Sequence, residues 1–223
     1  MRVLLFGATG MVGRAVLREC LLDPDVEVVQ TVGRSATGVK NTKLHEIIHA
    51  DLWNYTAIEP ELPDFDACFF SLGVSSVGMS EPEYERLTYG ITIAAASALA
   101  RLNPGMTFVY VSGAGTDSSE KGKVMWARVK GRTENALLRL PFKAAYMFRP
   151  GGIQPMHGER SKTRAYRIGY VLAKPLLPLL RRMFPGSIMT TEEIGRAMIN
   201  VVRRGAPKRI LVTSDIRACA RGQ

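Results

Sequence analysis

The sequence predicts a doubly wound α/β fold, with a mostly parallel sheet of about seven strands and helices on both faces. Three observations predict it. Short apolar runs alternate with longer segments of helical periodicity along most of the chain. A glycine-rich turn joins the first run to the first helical segment. No fixed-period repeat, low-complexity tract or obvious linker divides the 223 residues, so they read as one domain.

Arg2–Phe6 is a short apolar strand that stops at Gly7. Met11–Leu22 has apolar residues at 12, 15, 16, 17, 21 and 22, a helical spacing, and Asp23-Pro24-Asp25 ends it. Val26–Val32 is β-branched and reads as the second strand, Ser35–Lys43 as loop, and Leu44–Ile48 as the third strand. Pro60 and Pro63 punctuate the loop before a fourth strand, Phe65–Ser71. Glu81–Leu102 starts with an acidic turn around Pro82, becomes alanine-rich and reads as one long helix closed by Asn103-Pro104-Gly105. Met106–Ser112 is the fifth strand, Lys123–Leu140 a helix and Lys143–Phe148 the sixth strand. Gly151–Lys162 reads as irregular, and Thr163–Met183 as helical with a proline kink. Thr191–Arg203 is an amphipathic helix, Arg209–Val212 a last short strand, and the tail from Ser214 reads as loose.

With 46% hydrophobic and 22% charged residues the chain is not a disordered one. A single domain of this size buries about 70% of its unfolded surface and needs no metal or disulfide to fold. Cys20, Cys68 and Cys219 are odd in number and share no short spacing, which points to a reducing compartment. No run reaches 18 apolar residues, and Val3–Phe6 is too short for a signal peptide, so the expected location is the cytoplasm. The net charge of +10 is lopsided, −6 over residues 1–100 and +16 over residues 101–223. Such a basic half favours anionic metabolites. No nucleic-acid signature accompanies it, and no nucleic-acid partner is expected.

Gly7-Ala8-Thr9-Gly10-Met11-Val12-Gly13 lies between the first strand and the first helix, the context a dinucleotide-binding turn requires. Gly7 permits the tight turn, Gly10 lets a pyrophosphate approach the backbone, and Gly13 lets the helix pack close to the strand. Thr9, Met11 and Val12 complete the turn, whose helix N-terminus offers N–H groups and a positive dipole end. An NAD site usually carries an acidic residue about 20 positions further on. Gln30-Thr31-Val32-Gly33-Arg34 has none, and Arg34 stands where a 2′-phosphate would sit, with Lys40 and Lys43 following. The expected cofactor is therefore NADP rather than NAD. Asp51-Leu52 after the third strand and Ser71-Leu72-Gly73 closing the fourth lie where open α/β sheets bind ligands.

These motifs, together with Tyr110-Val111-Ser112, Val129-Lys130-Gly131 and Arg149-Pro150-Gly151, resemble an atypical short-chain dehydrogenase/reductase. Within it the chain is most similar, over roughly residues 1–213, to the NAD(P)H-binding branch related to NmrA-like and Tat-interacting-protein oxidoreductases. The resemblance implies a Rossmann fold, with Asp51 and Leu52 flanking adenine and Ser112 in the catalytic site. It also implies that Lys130 holds the nicotinamide ribose, that Pro150 and Gly151 line the nicotinamide pocket, and that the segment of about 151–190 walls the substrate side.

The family's Tyr-x-x-x-Lys pair puts both side chains on one helix face. Here the pair reads Trp126-x-x-x-Lys130, and an indole N–H cannot exchange a proton as a phenol does. Loss of a general acid costs typically ~10²–10⁴-fold. Tyr84, Tyr89 and Tyr110 are the candidate substitutes. Two expectations stand. One is an NADP(H)-dependent oxidoreductase or epimerase-like enzyme acting on a small molecule through Ser112 and Lys130. The alternative is a non-catalytic NADP(H)-binding regulator.

Other motifs fail on context. His45-Glu46-Ile47-Ile48-His49 matches a zinc-protease pattern, but on a strand its imidazoles lie ~13 Å apart, so no metal site is expected. Ser118-x-x-Lys121 lies in a polar loop without the companion motifs of acyl enzymes. Ile168–Met183 combines apolar residues with Arg167, Lys174, Arg181 and Arg182, and reads as a core or pocket wall sooner than a membrane-surface helix.

Overall fold

A computed structural model describes residues 1–158 and 188–223. The expected helix Thr163–Met183, and with it Ile168–Met183 and most of the expected substrate-side wall, lies outside these residues. Nine strands are described: β1 (Arg2–Phe6), β2 (Val28–Gly33), β3 (Leu44–Ile48), β4 (Ala67–Phe70), β5 (Thr107–Val111), β6 (Ala144–Arg149), β7 (Gly152–Gln154), β8 (Ile188–Thr190) and β9 (Ile210–Val212). Seven form one parallel sheet in the order β3-β2-β1-β4-β5-β6-β9. The helices are α1 (Met11–Leu22), α2 (Glu81–Glu85), α3 (Ile91–Leu102), α4 (Met125–Leu137), α5 (Thr191–Arg204) and α6 (Thr213–Ala220).

The continuous apolar runs of the central strands follow from burial on both faces. On β1, Val3 and Leu5 enter one core with α1 and α5, while Leu4 and Phe6 enter the other with α3. β4 divides likewise, with Phe69 on the first face and Cys68 and Phe70 on the second. The second core carries an aromatic series from β1 to β5: Phe6 stacks on Phe70 at 5.2 Å, and Phe70 on Phe108 at 5.9 Å. From β1 the chain winds outward through β2 and β3, then crosses to β4 on β1's other side. The reversal leaves a crevice beyond the carboxyl ends of β1 and β4.

Four expectations change. The long helix Glu81–Leu102 is interrupted by a π-turn at Arg86–Gly90 between α2 and α3. A residue far off in sequence packs against it. The indole N–H of Trp53 donates to the Arg86 carbonyl at 3.3 Å, Arg86 stacks over the Trp53 ring at 4.7 Å, and a Cβ on Gly90 would lie 3.4 Å from the same indole. The segment around Pro60 contains a 3₁₀ helix, Thr56–Glu61, held by Ile58 in the core. Gly151–Lys162 is not wholly irregular, because β7 pairs in parallel with β8.

The tail from Ser214 is not loose but forms α6. Ile216 and Cys219 are buried in the core shared with α5, the Asp215 carboxylate accepts the Val212 N–H, and Asn200 of α5 donates to the Cys219 carbonyl at 2.9 Å. Ile216→Ala is therefore expected to lower the unfolding free energy by about 3 kcal/mol in urea denaturation. An unchanged midpoint would mean that α6 does not pack as described.

Candidate functional site

The glycine turn is built on contacts that admit no side chain. Gly7 has φ +82°, and a Cβ there would lie 2.6 Å from the Leu72 nitrogen. A Cβ on Gly13 would lie 2.1 Å from the Gly7 carbonyl oxygen, so α1 rests directly on the turn. Gly10 caps α1, with its N–H donating to the Gly7 carbonyl at 2.9 Å. No side chain caps this helix and no acidic residue occupies its first turn. Within the helix itself, the positive end of its dipole has no carboxylate to answer it.

In front of the turn is a cleft of about 320 Å³. Of the expected cofactor residues, Gly7, Thr9, Gly10, Arg34, Leu52, Leu72 and Gly73 line it. Met11 and Val12 are half-buried in the first turn of α1, and Gly13 is buried as packing beneath it. Asp51 is not in the lining, since its carboxylate accepts the Trp53 N–H at 3.0 Å and shapes the turn after β3. Thr31, Gly33, Ser35 and Thr37 from β2 onward, and Ser71, Val74 and Ser75 after β4, complete the wall. Ser71 belongs to the strand-end segment expected from sequence, and Ser35, Thr37, Val74 and Ser75 lie just beyond the ends of β2 and β4.

Arg34 is exposed and makes no hydrogen bond or ion pair with any described residue. Lys43 is turned elsewhere, donating to the Asp23 carbonyl at 2.8 Å.

Further along the same sheet edge, α4 brings Trp126, Lys130 and Glu134 onto one face, one turn apart. Glu134 is fully buried and was not singled out from sequence. It accepts hydrogen bonds from the Ser112 hydroxyl and the Arg149 guanidinium, whose Nε lies 3.1 Å from both carboxylate oxygens. Removing this carboxylate from water is offset by these charge-assisted bonds. It ties α4 to the ends of β5 and β6. The Ser112 hydroxyl also lies 3.0 Å from the Phe148 carbonyl, so its single proton is directed at protein acceptors.

The loop after β5 is pressed onto α4. A Cβ on Gly131 would lie 1.7 Å from the Asp117 carbonyl oxygen, and the Trp126 ring rests against Gly115. Ala114 N–H donates to the Pro150 carbonyl, and Gly151 N–H to the Thr213 hydroxyl, which fixes the Pro150-Gly151 turn.

The Lys130 ammonium makes no hydrogen bond or ion pair with any described residue and sits 5.4 Å from the centre of the Tyr110 ring. Burial pushes its pKa down to about 8, and the nearby Glu134 charge acts in the opposite direction. Tyr84 and Tyr110 are buried and their pKa values raised by loss of solvation, Tyr110 facing Thr133 and Thr92. Neither is placed to exchange a proton with a ligand, which leaves half-buried Tyr89 among the candidate donors.

The family described as "Semialdehyde dehydrogenase, NAD binding domain" matches residues 2–139, and the chain belongs to it. It is 27% identical over 214 residues to "Protein FMP52-2, mitochondrial" of Scheffersomyces stipitis, covering 92% of this chain and 88% of that one. It is 28% identical over 206 residues to "Protein fmp52, mitochondrial" of Emericella nidulans, covering 89% and 85%. Among solved structures it is similar to the Bordetella bronchiseptica enzyme WbmF in complex with NAD+, with TM-score 0.69, 13% identity and 99% and 76% of the chains covered. A short-chain dehydrogenase family protein of Francisella tularensis has TM-score 0.65 at 17% identity, with 92% and 91% covered. These likenesses agree with the Rossmann-like fold. The cytoplasmic location expected from sequence does not stand, because the relatives matched along most of their length are named mitochondrial. Unpaired cysteines report a reducing environment and do not say which compartment provides it.

An NMR titration of the Lys130 side chain is expected to have its midpoint near 8. That lies below the unfolded value of about 10.4, so between pH 8 and 10 the unfolded chain binds the extra proton. This group then makes stability rise with pH across that window. Lys130→Met should abolish that part of the rise in denaturation measurements, and a midpoint above 10 would contradict the burial.

Proposed function

We propose that this member of the semialdehyde dehydrogenase NAD-binding domain family binds NADP(H) and acts as an oxidoreductase on a small molecule. The observation that carries the reading is Arg34, an exposed arginine in the lining of the glycine cleft that pairs with none of the described residues. Its exposed guanidinium stands beside a phosphate-binding turn, where it can take a phosphate through two parallel hydrogen bonds. The residues present fit a dinucleotide. Gly7 and Gly13 keep the turn free of side chains, and the uncapped N-terminus of α1 faces the pyrophosphate position.

When bound, the nicotinamide supplies or accepts a hydride. The chain's own residues bind and orient. Arg34 takes the 2′-phosphate, Leu52 borders adenine, and Leu72 and Gly73 form the wall opposite the glycine turn. Lys130 holds the nicotinamide ribose, its ammonium making no hydrogen bond or ion pair with the described residues. Pro150 and Gly151 border the nicotinamide. Ser112 is the substrate-side hydroxyl, held in place by Glu134. Trp126 packs over the loop after β5 where the resembled family has its tyrosine.

The second reading, an NADP(H)-binding regulator, is favoured by that same Trp126 and by a Ser112 proton already directed at Glu134 and Phe148. Calorimetric titration is expected to show NADPH binding at least tenfold tighter than NADH. Arg34→Ala should remove that preference with little effect on NADH. Equal affinities in the wild type would reject NADP selectivity. Oxidation of NADPH with a panel of aldehydes and ketones separates the two readings. Trp126→Tyr should raise turnover toward the ~10²-fold that a general acid contributes. No turnover by either protein would favour the regulator.

A further inference from the structure

Three buried side-chain hydroxyls among the described residues have no hydrogen-bond partner: those of Tyr55, Ser71 and Thr88. Tyr55 is enclosed by the rings of Phe6 and His49, and Thr88 lies in the π-turn between α2 and α3. Ser71 is different in position, because it lines the cleft in front of the glycine turn. Its backbone N–H donates to the Phe6 carbonyl at 3.0 Å, which continues the pairing of β4 with β1. Its carbonyl oxygen would lie 2.7 Å from a Cβ on Gly7. The residue is thus held directly across from the turn, and its buried hydroxyl is without a hydrogen bond.

A buried hydroxyl that makes no hydrogen bond is unfavourable, and alanine would fill almost the same space without that cost. Ser71 lines the cleft, so a ligand seated there lies against this residue. We infer that Ser71 is a ligand-contacting residue whose hydroxyl donates a hydrogen bond to a ribose or phosphate oxygen of the bound dinucleotide. Binding then supplies the partner that the protein leaves out. The inference rests on the dinucleotide reading of the cleft, and it adds a contact from β4 to those from the glycine turn and Arg34. The contact belongs to the adenosine and pyrophosphate half, because Ser71 shares its cleft with Gly10 and Arg34.

The test compares wild type with Ser71→Ala in two measurements on the full chain. One is the melting temperature without ligand. The other is the affinity for NADPH and for 2′-phospho-ADP-ribose, which lacks the nicotinamide. The expected result is an unchanged or raised melting temperature in Ser71→Ala, with both ligands bound about tenfold more weakly. A structural role would instead lower the melting temperature and leave affinity alone, and that result overturns the inference. Weakening for NADPH only would also overturn it, since the contact would then lie on the nicotinamide half. If the wild type binds the ligands and Ser71→Ala binds them equally well, this inference fails and the reading of the cleft stands. If the wild type binds neither, both fail together.

Discussion

The contact between α1 and the Gly7 carbonyl sets the geometry on which the rest of the molecule's chemistry depends. With Gly13 free of a side chain, the helix begins directly against the end of β1. Two results follow from one close approach. The amides of the first helical turn stand at the carboxyl edge of the sheet, and the crevice between β1 and β4 remains open beside them. Any side chain at Gly7 would meet the backbone of Ser71 and Leu72, so the same constraint also fixes the opposite wall.

A second constraint organises the other end of the edge. Glu134 is a fully buried carboxylate on α4, and its partners come from β5 and β6. A buried ion pair of this kind contributes little net stability against an apolar alternative, but losing one partner is costly. Its role is one of position. It fixes the register of α4 against two strand ends, and so determines where Lys130 and Trp126 stand relative to Ser112. Gly131 lets the loop after β5 press onto the same helix. The Lys130 ammonium, which makes no hydrogen bond or ion pair with the described residues, lies one turn from Glu134 and 5.4 Å from the centre of the Tyr110 ring.

What was legible in the sequence was local in cause. The glycine turn announces itself because Gly7, Gly10 and Gly13 answer steric demands within seven residues of one another. The parallel sheet was legible because strands buried on both faces must be apolar throughout. The features that were not legible arise between distant residues. The π-turn at Arg86–Gly90 is contacted by Trp53, more than 30 positions earlier, and nothing in the helix's own pattern signals it. Glu134 reads as an ordinary helical glutamate until the fold brings Ser112 and Arg149 to it. Tyr84 and Tyr110 read as candidate acids because a sequence does not show which hydroxyls are enclosed. The last helix reads as loose because only Ile216 and Cys219 enter the core, with half-buried Ala220 against it, too few for a visible period. The strand-end rule points to Asp51-Leu52 and to Ser71-Leu72-Gly73 alike, and it does not show which side chains line the cleft, as Leu52 does, and which bond to their own turn, as Asp51 does.

The central claim is that one cleft, bounded by the glycine turn and Arg34, holds a phosphorylated dinucleotide. A crystal structure of the protein with NADPH tests it most directly. The account predicts the pyrophosphate against the backbone of Gly10 and the first turn of α1, with the 2′-phosphate on the Arg34 guanidinium. A dinucleotide bound elsewhere, or a 2′-phosphate left in solvent with Arg34 turned away, would contradict it.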